Sequence, residues 1–165
     1  MAITADLKGR EALMRRLNQL APNVEKYAAE AKLEVAEEAA EMMRERAPTG
    51  ATLEYRESFS GELLANNPNK KQVGLSQTKD PSAAGVFAEY IWRFLEFGTA
   101  PHSTAKGGGT VLGKKLAAQN GAKGIHPGTA AQPHIFPTWR AYKKKASAKI
   151  RAAVNKAVRE AMGKG

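Results

Sequence analysis

Cysteine is absent from the 165-residue chain, which excludes a disulfide scaffold, a thiol nucleophile and zinc sites built on thiolates. No stretch approaches the roughly 18 consecutive apolar residues of a membrane span, and no apolar leader core opens the sequence. The expectation is a soluble protein made in a reducing compartment, with no membrane partner. Acids are scarce in one region only. Residues 106–165 hold 13 Lys/Arg against the single acid Glu160, a net of +12, whereas residues 1–105 are close to balanced at −2. A charge block of this kind has three readings: nucleic acid, an acidic protein surface, or a solvated helix face.

The densest apolar cluster is Tyr90-Ile91-Trp92-Arg93-Phe94-Leu95-Glu96-Phe97-Gly98-Thr99, which holds four of the eleven Phe, Tyr and Trp residues. It reads as a buried element on which longer helices pack, with Glu96 needing a partner if it goes inside. Phe87, Tyr90, Ile91, Phe94 and Leu95 follow three-four spacing, so Gly85 to Phe97 is expected to be a short helix. Leu7, Leu13, Leu17 and Leu20 predict a helix over Ala5 to Leu20. A stripe from Val24 through Tyr27, Ala31, Val35, Ala39 and Met43 predicts a second of roughly 24 residues, stopped near Ala47 by Pro48. Ser58 to Ala65 and Lys71 to Ser76 flank the turn signal Asn66 to Lys70 and predict an antiparallel hairpin.

Residues 99–133 form a Gly/Lys-rich stretch too long for an ordinary connection, hence functional or disordered; Val111 to Ala118 is the one place where a helical turn is expected. We expect its middle, Pro101 to Gln132, to lack order in a free subunit and to order on a neighbour. From Pro137 a final helix buries Trp139, Tyr142, Ala146, Ile150 and Ala157 and displays Lys143, Lys144, Lys145, Lys149 and Arg151. The architecture expected is α+β within a single domain, 1–165: a long N-terminal helix and a basic C-terminal helix packed on a small antiparallel sheet, with the long loop of 99–133.

Catalytic chemistry finds little support. Gly108 to Lys114 has phosphate-loop spacing, but Lys115 replaces the magnesium-binding hydroxyl and no strand precedes it. His102, His126 and His134 lack an i,i+4 partner and acidic co-ligands, and read as loop histidines in solvent. Glu54, Glu57, Glu89 and Glu96 have no paired base. No catalytic residue, cofactor or metal is expected. Nonspecific binding to nucleic acid draws support from Lys106, Lys114, Lys115, Lys123 and the basic helix. No aromatics are interleaved with these for base stacking.

Three segments resemble the tail-completion or head-tail joining (neck) proteins of long-tailed bacteriophages, the lambdoid-type tail-component family. They are APTGATLEYRES (Ala47 to Ser58), YIWRFLEFGT (Tyr90 to Thr99) with its "EFGT", and AAQPHIFPTWRAY (Ala130 to Tyr142), which enters the terminal helix. The first departs from the family pattern before Thr49 and between Leu53 and Arg56. The resemblance implies a non-enzymatic subunit of a six-fold ring at the head-tail junction, synthesised in the bacterial host cytoplasm and incorporated in the virion neck. Its implied neighbours are copies of itself, connector, tail-terminator or tail-tube proteins, and DNA in the channel. Contacts with neighbours would fall on Glu96, Phe97, Gly98, Thr99, Pro133, Phe136 and Trp139.

Overall fold

The computed structural model describes residues 23–50, 52–70, 72–74, 78–104, 110–112 and 125–163, together with 11, 15, 115 and 119. Most of the helix expected over Ala5 to Leu20 lies outside the described residues; Glu11 and Arg15 are helical.

Two long helices dominate an α+β fold. α1 (Asn23–Arg46) ends where Pro48 forbids continuation, and buries Ala31, Val35, Ala36, Ala39, Ala40 and Met43. A short helix α2 (Glu54–Glu57) leads into β1 (Ser60–Leu63), which pairs antiparallel with β2 (Ala84–Phe87), Ser60 opposite Phe87 and Leu63 opposite Ala84. Helix α3 (Trp92–Phe97) follows, then a two-stranded ribbon of β3 (His102–Ser103) and β4 (Ile125–His126), and finally α4 (Ile135–Ala161).

Two expectations are corrected. The partner of β1 is not the 71–76 segment but β2, some twenty residues further on; Val73 donates its N–H to Val86 O at 2.8 Å and so lies along the other edge of β2. Gly85 to Phe97 is not one helix. It divides into β2, a turn and α3, and the three-four spacing of its apolar residues runs across that boundary.

The small residues of α1 set how closely the sheet approaches. A Cβ on Gly61 would collide with the backbone of Ala36 and Glu37, so β1 crosses α1 at a distance only glycine permits. Beside the sheet, α1 and α4 run antiparallel, and a ladder of polar contacts records their register. Tyr27 donates to Glu160 at 2.8 Å, Tyr142 and Lys149 both donate to Glu38, Lys149 also reaches Glu34 at 2.6 Å, and Arg46 donates to Thr138 at 3.3 Å. Between them lies the core of Val35, Ala39, Met43, Tyr55, Phe59, Trp92, Ile135, Tyr142 and Ala146.

The hydrogen bond from Lys149, and then that from Tyr142, hold the Glu38 carboxyl down from its usual value of 4.5 to about 2. A lowered carboxylate pKa contributes stability that is complete above the unfolded value and lost as pH falls through the folded one. Lys149→Met should therefore destabilise the protein at neutral pH, and its difference from wild type should shrink as pH falls from about 4.5 toward 2. Urea denaturation of both proteins across that range checks this; a constant difference would refute the role of the ion pair.

Candidate functional site

The 99–133 segment leaves and re-enters the core at one place, and Glu96 is its centre. α3 carries this glutamate inward, only 3% exposed, against the first turn of α4. The backbone N–H groups of His134 and Ile135 donate to Oε2 at 2.8 and 2.9 Å, and that of Phe136 donates to Oε1 at 3.0 Å. These are amides that a helix start leaves without partners, and the helix dipole adds attraction for a negative group there. The partner Glu96 needed is thus the end of a helix. His134 itself offers α4 no side-chain cap, so a residue 38 positions upstream does that work.

His134 does not sit in solvent, as its place in the sequence predicts, but is 3% exposed. Its Nδ1 bonds Gln132 O at 2.6 Å and its Nε2 meets the Tyr55 hydroxyl at 2.6 Å. One tautomer satisfies both contacts, with Nδ1–H donating and Nε2 accepting. Burial, and then the nearby Glu96 carboxylate, push the Tyr55 phenol up, so it remains a donor. Tyr55 is brought there by α2, preceded by Leu53 in the left-handed conformation at φ 59° and closed by Ser58, whose Oγ donates to Tyr55 O at 2.7 Å. The side chain of Phe59 stands edge-on to both rings, with centroids 5.3 Å from Tyr55 and 6.1 Å from His134. His134 and Tyr55 carried no local signal beyond their position at a helix start and in a turn.

The next layer is backbone. Gln132 N–H donates to Leu95 O at 2.7 Å, and Thr99 and Thr129 exchange N–H···O bonds of 2.9 and 3.1 Å. Gly98 (φ 71°) and Gly128 (φ 88°) flank this bridge, and a Cβ on either would strike the opposite chain. Beyond it come β3 and β4, where the exposed rings of His102 and His126 stack with centroids 5.0 Å apart. The ends of the 99–133 segment are therefore paired with each other; Val111 and Leu112 are helical, and the rest of its middle lies largely outside the described residues.

Of the residues expected to meet neighbours, Glu96 is buried, Gly98 and Thr99 are half-buried in the staple that Glu96, Gln132 and the Thr99–Thr129 bridge form, and Pro133 is exposed beside it. Phe97 is 64% exposed, with Phe94 at 51% and Tyr90 at 74%, so the aromatic cluster is only partly core. Trp92 and Leu95 turn inward while Phe97 lies on Phe136, centroids 5.8 Å apart. Phe136 and Trp139 continue into an apolar cleft of about 480 Å³ with Val35, Met43, Val73 and Val86, at whose edge Lys32 and Asp80 pair at 2.6 Å. On α4, Lys143, Lys144 and Arg151 are exposed, Lys145 stands 3.7 Å from Glu38, and Lys149 is taken up by Glu34 and Glu38. Among the described residues, no three His, Asp or Glu gather as metal ligands, and no helix is long and apolar enough to cross a membrane.

Replacing Glu96 should loosen the staple and the start of α4 together. Glu96→Gln should cost about 1.5–3 kcal/mol, the range for hydrogen bonds to a charged group, and Glu96→Ala more, because three N–H groups, those of His134 and Ile135 buried, lose their acceptor. The exposed Glu89→Gln should stay within about 0.5 kcal/mol. Urea denaturation gives the energies, and faster amide exchange at residues 134–136 in Glu96→Gln would localise the effect; unchanged exchange there would refute the cap.

No curated protein and no solved structure matches the chain. A protein-family model does, over residues 11–98, ending at the glycine after Glu96 and Phe97; its description reads "Bacteriophage HK97-gp10, putative tail-component". With more than half of its length matched, through α1, the β1–β2 sheet and the capping helix α3, the chain belongs to this HK97-gp10-like family of bacteriophage tail components.

Proposed function

We propose that this protein is a structural subunit of the phage neck, completing the tail and joining it to the DNA-filled head as one of six copies in a ring. The observation that carries the reading is the family match over residues 11–98. The geometry supports it in two ways. The 99–133 segment leaves and re-enters the core at a staple built of Glu96, Thr99, Thr129 and Gln132, which gives both its ends one fixed root. Around that root, Phe94, Phe97, Pro133 and Trp139 are exposed, the kind of aromatic surface that contacts between subunits bury. In this reading residues of the 99–133 segment contact the adjacent connector, terminator or tail-tube ring, and chemistry plays no part.

A second reading, nonspecific binding to nucleic acid, rests on the exposed cations of α4. A lone subunit would then retain duplex DNA, with an affinity falling steeply as salt rises. An early stop codon in this gene of the parent phage, with the lysate viewed by negative-stain microscopy, tests the neck assignment. Full heads beside unattached tails are expected. Overlong tails would move the role to tail termination, and joined, infectious particles would overturn the neck reading.

A further inference from the structure

The two long helices carry opposite charge on the sides turned away from the core. On α1, Glu30, Glu37, Glu41 and Glu45 are exposed, at positions i, i+7, i+11 and i+15, while Glu34 beside them is taken up by Lys149. That spacing keeps them on one helix face over about 22 Å at 1.5 Å per residue. The buried residues Val35, Ala39 and Met43 occupy the opposite face. On α4, Arg140, Lys144 and Arg151 are exposed at i, i+4 and i+11, with Ser147 and Asn155 completing the same frame and Lys143 and Arg159 beside it. Tyr142, Ala146 and Ala157 hold the far side.

Neither stripe is neutralised within the subunit. The pairs that join α1 to α4 use Glu34, Glu38, Lys145 and Lys149, which lie along the seam between the helices. Glu41 pairs with its own helix at Arg44, 2.7 Å away, and Glu30 is 4.0 Å from Lys26, both exposed arrangements of little worth. Among the described residues, Arg140, Lys143, Lys144, Arg151 and Arg159 have no acidic partner; Arg140 and Arg151 donate Nε to carbonyls of their own helix, which leaves the outer guanidinium nitrogens free.

We propose that these faces bind each other between copies: the glutamate face of α1 on one subunit receives the Arg140–Lys144–Arg151 face of α4 on the next. This rests on the ring reading above and names the surfaces that make the ring. Two different, complementary patches on one chain give a head-to-tail contact, the geometry from which rings close. Two facing acid stripes or two facing basic stripes would repel, so the pairing also fixes orientation. Each face repeats its charges at intervals of one to two helical turns, so two such helices lying side by side can set acids against cations along their length.

The test uses charge reversal in the full chain, with circular dichroism to confirm that each variant is folded. One variant carries Glu37→Lys, Glu41→Lys and Glu45→Lys; the other carries Arg140→Glu, Lys144→Glu and Arg151→Glu. All six side chains lie outside the α1–α4 seam. Wild type should assemble in analytical ultracentrifugation at low salt, and loosen between about 0.05 M and 0.5 M salt as screening grows. Each variant alone should associate at least about tenfold more weakly. An equimolar mixture should regain assemblies of wild-type size holding both variants in equal amounts, since each reversed face then meets its complement.

Wild type and both variants assembling alike would overturn this interface and leave the ring reading standing. A wild type that remains a lone subunit at every concentration and salt would overturn both. Retention of duplex DNA by that lone subunit, abolished by the triple substitution in α4, would assign the basic stripe to nucleic acid instead.

Discussion

A single buried carboxylate holds the parts of this protein together. Glu96 sits between three elements: the helix that carries it, the helix whose first amides it accepts, and the Tyr55–His134 pair packed beside it. A charge removed from water is costly, and three amide donors at a positive helix end are the compensation a protein can offer without placing a cation nearby. That choice ties the interior of α3 to the start of α4 and fixes, within a few residues, where the 99–133 segment departs and returns. The glycines on either side of the Thr99–Thr129 bridge follow from the same closeness, because the two chains meet where a side chain would not fit.

The charge of the chain reads differently once folded. A formal +10 describes the sequence, but the structure divides it by surface. Some of the C-terminal lysines balance glutamates of α1 across the seam between the helices, where Lys149 is gripped by two carboxylates and its pKa is raised by their hydrogen bonds. Other cations of α4 stay outward. Composition located the basic block; only the antiparallel packing of α1 on α4 separates the cations that stabilise the subunit from those left to meet something else.

Periodic features were legible in the sequence. The stripe from Val24 to Met43, ended by Pro48, and the alternation of Tyr142, Ala146 and Ala157 with lysines yielded both long helices. The sheet was not, for a physical reason: β2 is the four-residue run Ala84–Phe87, with no alternation to mark it, and its partner lies beyond a turn rich in Asn and Pro that imitates a hairpin. At the staple, the need of Glu96 for a partner was visible, but the partner is backbone, and backbone donors leave no mark in a sequence. His134 was misplaced because the groups that bury it, Tyr55 and Phe59, arrive from nearly eighty residues away.

The pairing at the ends of the 99–133 segment also bears on how the chain can change length. Closing a flexible loop costs entropy that grows only with the logarithm of its length, about 0.6 kcal/mol for each doubling. Because Thr99 and Thr129 already meet and the core begins again at Gln132, residues added between the strands of the ribbon lengthen a loop whose ends are held. The core helices, the Glu96 cap and the seam between α1 and α4 lie outside that loop. The stretch between the two strands is therefore the place where sequence can be gained or lost while the fold around its ends stays as it is.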